Sequence, residues 1–434
     1  MVSMHFNFKD VFRAPRLGFS ARTIWIGAVG LFIATVVYSI LGYIALLVSG
    51  MGITEIWQVH RYIPFPFPAD ASELAWYGWI IWALGVVFVI FMLYITLTAI
   101  AKVVYEYLRG DEFYEVGAAW RYAFSQWKSS FLSPITLIFF IVVLLLLGFF
   151  FGIVGRIPYV GPIIFGLLSV PIFAGAIFVV YLSVICLVAF IIVPGIVGTS
   201  KNDTFDTLFE VFSVANDQPW RFVLWEALLI VLTIVGFVVF SWFVLGGLYL
   251  TKWAVGVVAG PRHWWGDMWT NAVAYAPVLP NLGTWGEGFV EFLAPFLLVK
   301  HEFVATHWTI NIGAFLMGLS FYVFLFAALG YALSIWGAGQ TIIYTVLVKM
   351  KDERNLLEAK EQEEPVVEVS KEEPITEEEK VEEEKPKKKR GRPKKTEAEK
   401  KTTTKKSSAK KTTKKSSTSE KTTAKKRGRP KKKT

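Results

Sequence analysis

The sequence predicts an all-α protein, a polytopic transmembrane bundle of about six helices followed by a disordered C-terminal tail. Hydrophobic residues make up 54% of the 434 positions and charged residues only 18%, whereas an average soluble protein has about 25% charged residues. Six long intervals contain no Asp, Glu, Lys or Arg, and after Met350 the hydrophobicity collapses. The chain therefore divides into a membrane body and a polar tail.

The six charge-free intervals predict the spans. A helix needs about 20 apolar residues to cross a bilayer, and a charge at its centre costs about 2.5 kcal/mol or more. The intervals lie between Arg22 and Glu55, Glu73 and Lys102, Lys128 and Arg156, Arg156 and Lys201, Glu226 and Lys252, and Glu302 and Lys349. We predict span cores at residues 24–48, 76–104, 131–154, 163–193, 222–248 and 310–336. The fourth and sixth intervals are longer than one crossing, so each has room for a re-entrant piece or two short helices.

The distribution of positive charge predicts the orientation of the body. Connections on one side, including the N-terminus, contain 11 Lys or Arg residues, and those on the other side contain 5. Positive residues are retained on the cytoplasmic side of a membrane. We therefore expect a multi-pass protein of the cell membrane with both termini in the cytoplasm.

A weak repeat precedes the odd-numbered spans. The segments Phe8–Val11, Phe113–Val116 and Leu208–Val211 each combine an aromatic and an acidic residue before a valine. In the second copy, Val116, Trp120, Phe124 and Trp127 recur at helical spacing, which is typical of an amphipathic helix on a membrane surface. The repeat predicts three helical hairpins, each preceded by such a helix. Alternatively, any cytoplasmic connection near lipid has this composition.

The membrane body has a family resemblance. By its lead-in segments, its six spans and its closing run Thr341–Leu347, the region 1–350 resembles uncharacterised six-helix prokaryotic, especially archaeal, integral membrane families. The resemblance implies fold and topology, and it carries no catalytic residue over to this chain.

Ionisable residues within spans usually indicate transport or proton relay, and this body has almost none. Glu226 is the best candidate, but an ion pair with Arg221 near the cytoplasmic end of its span explains it equally well. The Trp-rich outer segment 251–307 suggests either a ligand or lipid platform or amphipathic pieces held on the outer leaflet by indole anchors, and we favour the second interpretation.

The sequence predicts neither an enzyme nor a metal or cofactor site. Cys186 is the single cysteine, which excludes an internal disulfide and a cysteine-based zinc site. A zinc-protease helix needs two histidines four residues apart, but His301 and His307 are six apart and Ala305 occupies the required position. Phosphate-cradling, dinucleotide and nucleophile-elbow motifs do not occur in the sequence.

The tail has two oppositely charged parts. Residues 351–384 contain 5 basic and 15 acidic side chains, and residues 385–434 contain 24 basic and 3 acidic ones. Such a composition cannot bury enough apolar surface to offset chain entropy, so both parts should be disordered. The stretch Lys351–Glu358 has the composition to continue a helix briefly.

One motif occurs twice in the basic part. Its two copies consist of Lys389, Arg390, Gly391, Arg392, Pro393 and Lys394, and of Lys426, Arg427, Gly428, Arg429, Pro430 and Lys431. Both copies resemble AT-hooks, short DNA-binding elements built around Arg-Gly-Arg-Pro, and the surrounding Lys, Ala, Ser and Thr residues are similar to linker-histone tails. The resemblance implies binding in the minor groove of A/T-rich double-stranded DNA.

The residues of the motif have physical properties that suit binding to A/T-rich DNA. Narrow A/T-rich minor grooves concentrate negative potential and attract inserted arginines. Gly391 and Gly428 let the backbone approach the groove floor, and Pro393 and Pro430 keep the chain extended. Flanking lysines would contact phosphates and make the affinity depend on salt. Nuclear import and binding of anionic lipid are the alternatives, although an acidic spacer separates the basic part from the last span.

The functional prediction is a membrane-anchored protein that tethers A/T-rich chromosomal DNA to the cytoplasmic membrane face. The alternative is a small-solute or lipid transporter or channel with a regulatory polybasic tail that binds anionic lipid or nucleic acid. The lipid bilayer is a partner in both cases, and the sequence leaves the oligomeric state open.

Overall fold

The protein is an all-α body with six helices that are long and apolar enough to cross a membrane. The computed structural model describes residues 4–60, 63–64, 74–259, 264–275 and 303–358. The long helices are α2 (Ala21–Val48), α4 (Trp76–Arg109), α6 (Ser133–Val154), α8 (Ser169–Thr199), α10 (Pro219–Ala259) and α12 (Trp308–Asp352). The shorter ones are α1 (Ala14–Gly18), α3 (Ile53–His60), α5 (Val116–Ser125), α7 (Val160–Leu167), α9 (Thr204–Asp217) and α11 (Trp264–Ala274), together with a 3-10 helix at Phe8–Arg13 and a π-helical turn at Lys128–Leu132.

The six-span prediction is confirmed, with differences at the ends of the spans. The fourth interval contains two helices, because α7 ends at Leu167 and α8 begins only at Ser169. The sixth interval is one unbroken helix of 45 residues, and α10 has 41. At 1.5 Å per residue these helices are roughly 60 to 70 Å long, about twice the thickness of the hydrocarbon core. Both therefore extend beyond a bilayer.

Two prolines shape α8. Pro171 lies in the first turn of the helix, where the missing N–H costs no helical hydrogen bond. Pro194 lies inside the helix and removes the donor that would bond to the carbonyl of Phe190. The Tyr94 hydroxyl from α4 donates to that carbonyl oxygen at 3.0 Å. A hydrogen bond between helices thus replaces one within a helix.

The predicted order of lead-in helix and hairpin is present three times. The lead-in elements are Phe8–Gly18, α5 and α9, and they precede the hairpins α2–α4, α6–α8 and α10–α12. Each lead-in helix packs on the second long helix of the hairpin before it: α5 on α4, α9 on α8, and α1 on α12, which closes the cycle. Helices α4, α8 and α12 also contact one another. The three units are therefore arranged around these central helices.

The lead-in end, defined as the end of the bundle that holds the three lead-in helices and the end of α12, contains the main core. The second halves of α4, α8 and α12 are buried there, including almost every side chain from Ser334 to Val348. Helix α6 is different, because Phe139, Leu146 and Phe149 are each more than half exposed. A bilayer would cover such an apolar surface.

Helix α5 buries alanine side chains against α4 and leaves its aromatic face partly exposed, which fits the amphipathic helix that the spacing predicts. Ala119 and Ala123 are fully buried, while Phe124 is 47% exposed. The small alanine side chains let α5 lie directly on α4, with Trp120 stacked on Phe124 at 5.8 Å between ring centroids. The exposed aromatic rings are therefore on the side away from α4.

A glycine contact brings α2 and α12 together. A Cβ atom on Gly27 would lie 2.6 Å from the Gly330 carbonyl oxygen, and one on Gly330 would lie 2.6 Å from the Ala28 nitrogen. Both obstacles are backbone atoms, so a side chain at either position would separate the helices.

We expect Gly330→Ala to destabilise the protein by about 1–3 kcal/mol, the usual cost of overpacking a core. Thermal unfolding of the detergent-solubilised protein would measure this loss. Gly148→Ala on α6 is the matched control, because a Cβ atom there meets nothing within 4 Å and alanine favours a helix. Equal melting temperatures for the two variants would contradict the close contact.

Candidate functional site

The predicted DNA-binding residues, Lys389–Lys394 and Lys426–Lys431, lie outside the described residues, as does the rest of the tail after Glu358. The described chain does include the base of the tail and the polar groups of the body. Three of its features bear on function: the exit of the chain from α12, a buried ion pair on α4, and a buried carboxyl–amide pair between α10 and α12.

The base of the tail is attached to the body. Helix α12 continues only two residues beyond Met350 and ends at Asp352, because Glu353 has a left-handed backbone with φ of 53°. The chain then turns back, and Leu356 and Leu357 are buried in the main core. The Tyr105 hydroxyl of α4 donates to the Leu356 carbonyl oxygen at 2.9 Å. The starting point of the tail is thus held at the lead-in end.

A second contact holds the end of α12 against α9. Lys351 Nζ lies 3.1 Å from a carboxylate oxygen of Asp217 and also contacts the Ser213 hydroxyl. These side chains and Glu210 line a small surface cavity. Both partners of the ion pair are partly exposed, so it contributes about 1 kcal/mol or less.

A buried ion pair lies on α4. Lys102 Nζ is 2.7 Å from Glu106 Oε1, and Arg109 Nη1 is 3.3 Å from Glu106 Oε2. Lys102 is 4% exposed, and its ammonium group lies 4.6 Å from the centroid of the Tyr122 ring of α5. The Tyr122 hydroxyl donates to the Val197 carbonyl oxygen of α8 at 2.6 Å. This cluster joins α4, α5 and α8.

Sequence reasoning treated Lys102 only as a cytoplasmic boundary residue and did not identify the cluster. The signal was present, since Lys102 and Glu106 are four residues apart and therefore neighbours on a helix surface. Spacing alone, however, does not distinguish an exposed pair from a buried one.

The interpretation of Glu226 as an ion-pair partner of Arg221 is wrong. Arg221 Nη1 donates to Gln218 Oε1 at 3.2 Å, and its guanidinium group lies 5.1 Å from the centroid of the Trp220 ring. Glu226 is 5% exposed and accepts a hydrogen bond from Gln340 Nε2 of α12 at 2.8 Å. A carboxyl–amide pair between two long helices thus replaces the expected pair at the membrane interface.

Two oxygen atoms of the carboxyl–amide pair accept no hydrogen bond. Glu226 Oε1 and Gln340 Oε1 are both buried without a hydrogen-bond partner. Gln340 is 1% exposed, and Gly195 of α8 packs against its backbone, since a Cβ atom on Gly195 would lie 3.0 Å from the Gln340 carbonyl oxygen. The pair therefore lies where α8, α10 and α12 meet.

The described part of the Trp-rich segment contributes core residues as well as exposed indoles. Trp269 of α11 is 4% exposed and packs on Phe321 of α12, with ring centroids 5.5 Å apart. Lys252 Nζ of α10 lies 5.3 Å from the centroid of the Trp269 ring. Trp264 is 44% exposed. Trp269 is thus a packing residue and not the leaflet anchor that we expected, and it attaches α11 to the second half of α10 and the first half of α12.

An asparagine fixes the chain that leads into α12. Asn271 is fully buried; its Nδ2 donates to the Val304 carbonyl oxygen at 3.0 Å, and its Oδ1 accepts from the Val304 N–H at 2.8 Å. His307 Nδ1 forms a hydrogen bond with Thr309, while His301 lies outside the described residues. In the part of the chain that the structure describes, no three His, Cys, Asp or Glu side chains are placed to hold a metal ion.

The geometry therefore offers a fixed base for the tail and a buried polar pair inside an apolar bundle. Comparisons add no further guide to function: the chain matches no family model, no curated protein and no solved structure.

Proposed function

We propose that the protein anchors A/T-rich DNA to the cytoplasmic face of the membrane through its C-terminal tail. The observation that carries this proposal is the second complete copy of the Arg-Gly-Arg-Pro core, at Arg427–Pro430, 37 residues after the first at Arg390–Pro393. Lysine clusters alone would serve for generic binding of anions. Glycine lets the backbone approach the groove floor and proline keeps the chain extended, and both properties favour insertion of the flanking arginines into a narrow minor groove.

The length and charge of the spacer support tethering. Arg390 follows Glu358, which lies just after the buried Leu357, by 32 residues, and a flexible chain of that length has a root-mean-square reach of about 30 Å. The acidic part, residues 351–384, is repelled by anionic headgroups and favours extension of the tail away from the membrane. Once one motif is bound, the second binds at a raised effective concentration, which increases the overall affinity.

The attachment of the tail base also supports the proposal. Leu356 and Leu357 are buried in the body, and Tyr105 holds the backbone at Leu356. A load on bound DNA would therefore be transmitted to the packed helices α4 and α12. With both termini cytoplasmic, as the charge distribution predicts, the tail is on the side of the chromosome.

Deleting residues 385–434 tests the proposal. We expect the deletion to abolish retention of A/T-rich duplex by vesicles that contain the protein, because it removes 24 of the 45 basic side chains and both motifs. Co-sedimentation of labelled duplex with the vesicles, over a salt series, would measure this loss. Unchanged retention by the truncated protein would refute the tether.

A second candidate, a small-solute or lipid transporter or channel, is favoured by one observation. A buried carboxyl group within a span usually belongs to a transport pathway, and Glu226 is such a group. In that case the deletion of residues 385–434 leaves solute flux into vesicles unchanged, whereas Glu226→Gln reduces it. The two functions are therefore separable by experiment.

A further inference from the structure

The carboxyl–amide pair of Glu226 and Gln340 has the chemistry of an incomplete binding site. Buried polar atoms are almost always hydrogen-bonded in folded proteins, yet Glu226 Oε1 and Gln340 Oε1 have no partner. Both atoms are acceptors, because the amide uses its Nε2 to donate to Glu226 Oε2. Two buried acceptors from different helices require a donor or a cation between or beside them.

The negative charge of an ionised Glu226 also requires a cation nearby. Burial of an ionised carboxylate costs several kcal/mol unless a positive charge accompanies it. The segments that pack against the first half of α10 carry several ionisable side chains: Lys9, Asp10, Arg13 and Arg16 near the N-terminus, Asp206, Glu210 and Asp217 on α9, and Tyr331, Tyr344, Lys349, Lys351 and Asp352 on α12, with Arg221 on α10 itself.

Four basic members of this set have partners other than Glu226. Arg13 pairs with Asp10 at 3.4 Å, Lys351 pairs with Asp217 at 3.1 Å, and Lys349 donates to the Glu353 carbonyl oxygen at 2.6 Å. Arg221 is bonded to Gln218. Within the described residues, the hydrogen-bond partner of the Glu226 carboxyl group is therefore a neutral amide.

We propose that Glu226 Oε1 and Gln340 Oε1 form a binding site for a small monovalent cation, either a proton or Na⁺. One carboxylate supplies one negative charge, which matches one positive charge and is insufficient for a divalent ion in an apolar core. The amide oxygen supplies a second, neutral ligand or hydrogen-bond acceptor. The site is independent of the DNA tether, because it lies within the body and uses no residue of the tail.

Cation-dependent stability of the purified full-length protein tests the site. A bound cation stabilises the folded state, so its addition should raise the melting temperature of the wild type by about 2–6 °C. In one arm, NaCl replaces choline chloride at constant ionic strength and pH. In the other arm, pH is varied without Na⁺. A rise with Na⁺ identifies Na⁺, and a fall in melting temperature with rising pH identifies a proton.

Two variants assign the effect to this site. Glu226→Gln keeps the side-chain shape but removes the negative charge, so the melting temperature should no longer depend on Na⁺ or on pH through this site. Glu112→Gln makes the same change at an exposed position of the lead-in end. This control variant should keep the cation dependence of the melting temperature. If Glu226→Gln does not fold, Gln340→Met removes the second oxygen and should weaken the dependence. A wild type that responds to neither Na⁺ nor pH, or a response that survives in Glu226→Gln, overturns the proposal.

Discussion

Replacing Arg390, Arg392, Arg427 and Arg429 by lysine is expected to lower the preference for A/T-rich over G/C-rich duplex about tenfold or more, equivalent to about 1.4 kcal/mol. The substitutions leave the net charge of the chain at +10. Phosphate contacts depend on charge and continue in the variant. Groove insertion depends on the guanidinium group, which is flat and weakly hydrated, whereas the lysine ammonium group is compact and strongly hydrated.

The measurement uses the full-length protein in nanodiscs, titrated with the two duplexes over a salt series. The matched control changes four lysines outside the two motifs, Lys405, Lys406, Lys414 and Lys415, to arginine, and it should keep the A/T preference. The salt slopes of the wild type and the lysine variant should be nearly equal. An undiminished A/T preference in the lysine variant would refute minor-groove insertion by the arginine pairs.

Glu106→Leu is expected to destabilise the body by about 3–5 kcal/mol, the usual cost of removing one partner of a buried ion pair. Lys102 is 4% exposed and loses the carboxylate that lies 2.7 Å from its Nζ. Arg109 is more exposed and is hydrated after the change. The melting temperature of the detergent-solubilised protein should fall by on the order of 10 °C.

A double-mutant cycle separates the pair from its surroundings. Lys102→Met combined with Glu106→Leu replaces both charges by apolar side chains of similar length, so most of the lost stability should return. Glu112→Gln, an exposed carboxylate near the same end of α4, should leave the melting temperature unchanged. A double variant as unstable as Glu106→Leu would show that the cost does not come from the loss of the Lys102–Glu106 ion pair.

The long helices could be predicted because insertion into a bilayer depends on local composition. Charged residues bound each apolar interval, and the observed α2 and α6 end at the predicted Val48 and Val154. The start of α8 could not be predicted, since α7 is equally apolar and the boundary depends on backbone geometry at Leu168. The lead-in helices were visible as a weak repeat, but their cyclic packing on α4, α8 and α12 was not.

The polar sites of the body were predicted less well. Glu226 was identified as the leading ionisable residue, but its partner is Gln340, 114 residues away, and not the nearby Arg221. Gln340 had no sequence signal, because one neutral amide in an apolar run resembles any polar residue of a helix. Trp269 was expected among exposed indoles and is buried against Phe321.

The amino-acid order by itself determined which segments are apolar enough for a membrane, where the charge changes sign along the tail, and the two Arg-Gly-Arg-Pro motifs, since these properties depend on neighbouring residues. Only the tertiary structure decided which polar groups are buried and what they contact. Tyr105 meets the Leu356 backbone across 251 residues, and Lys102 is enclosed where α5 packs on α4. Burial and hydrogen bonding depend on the packing of distant helices, which local composition does not specify.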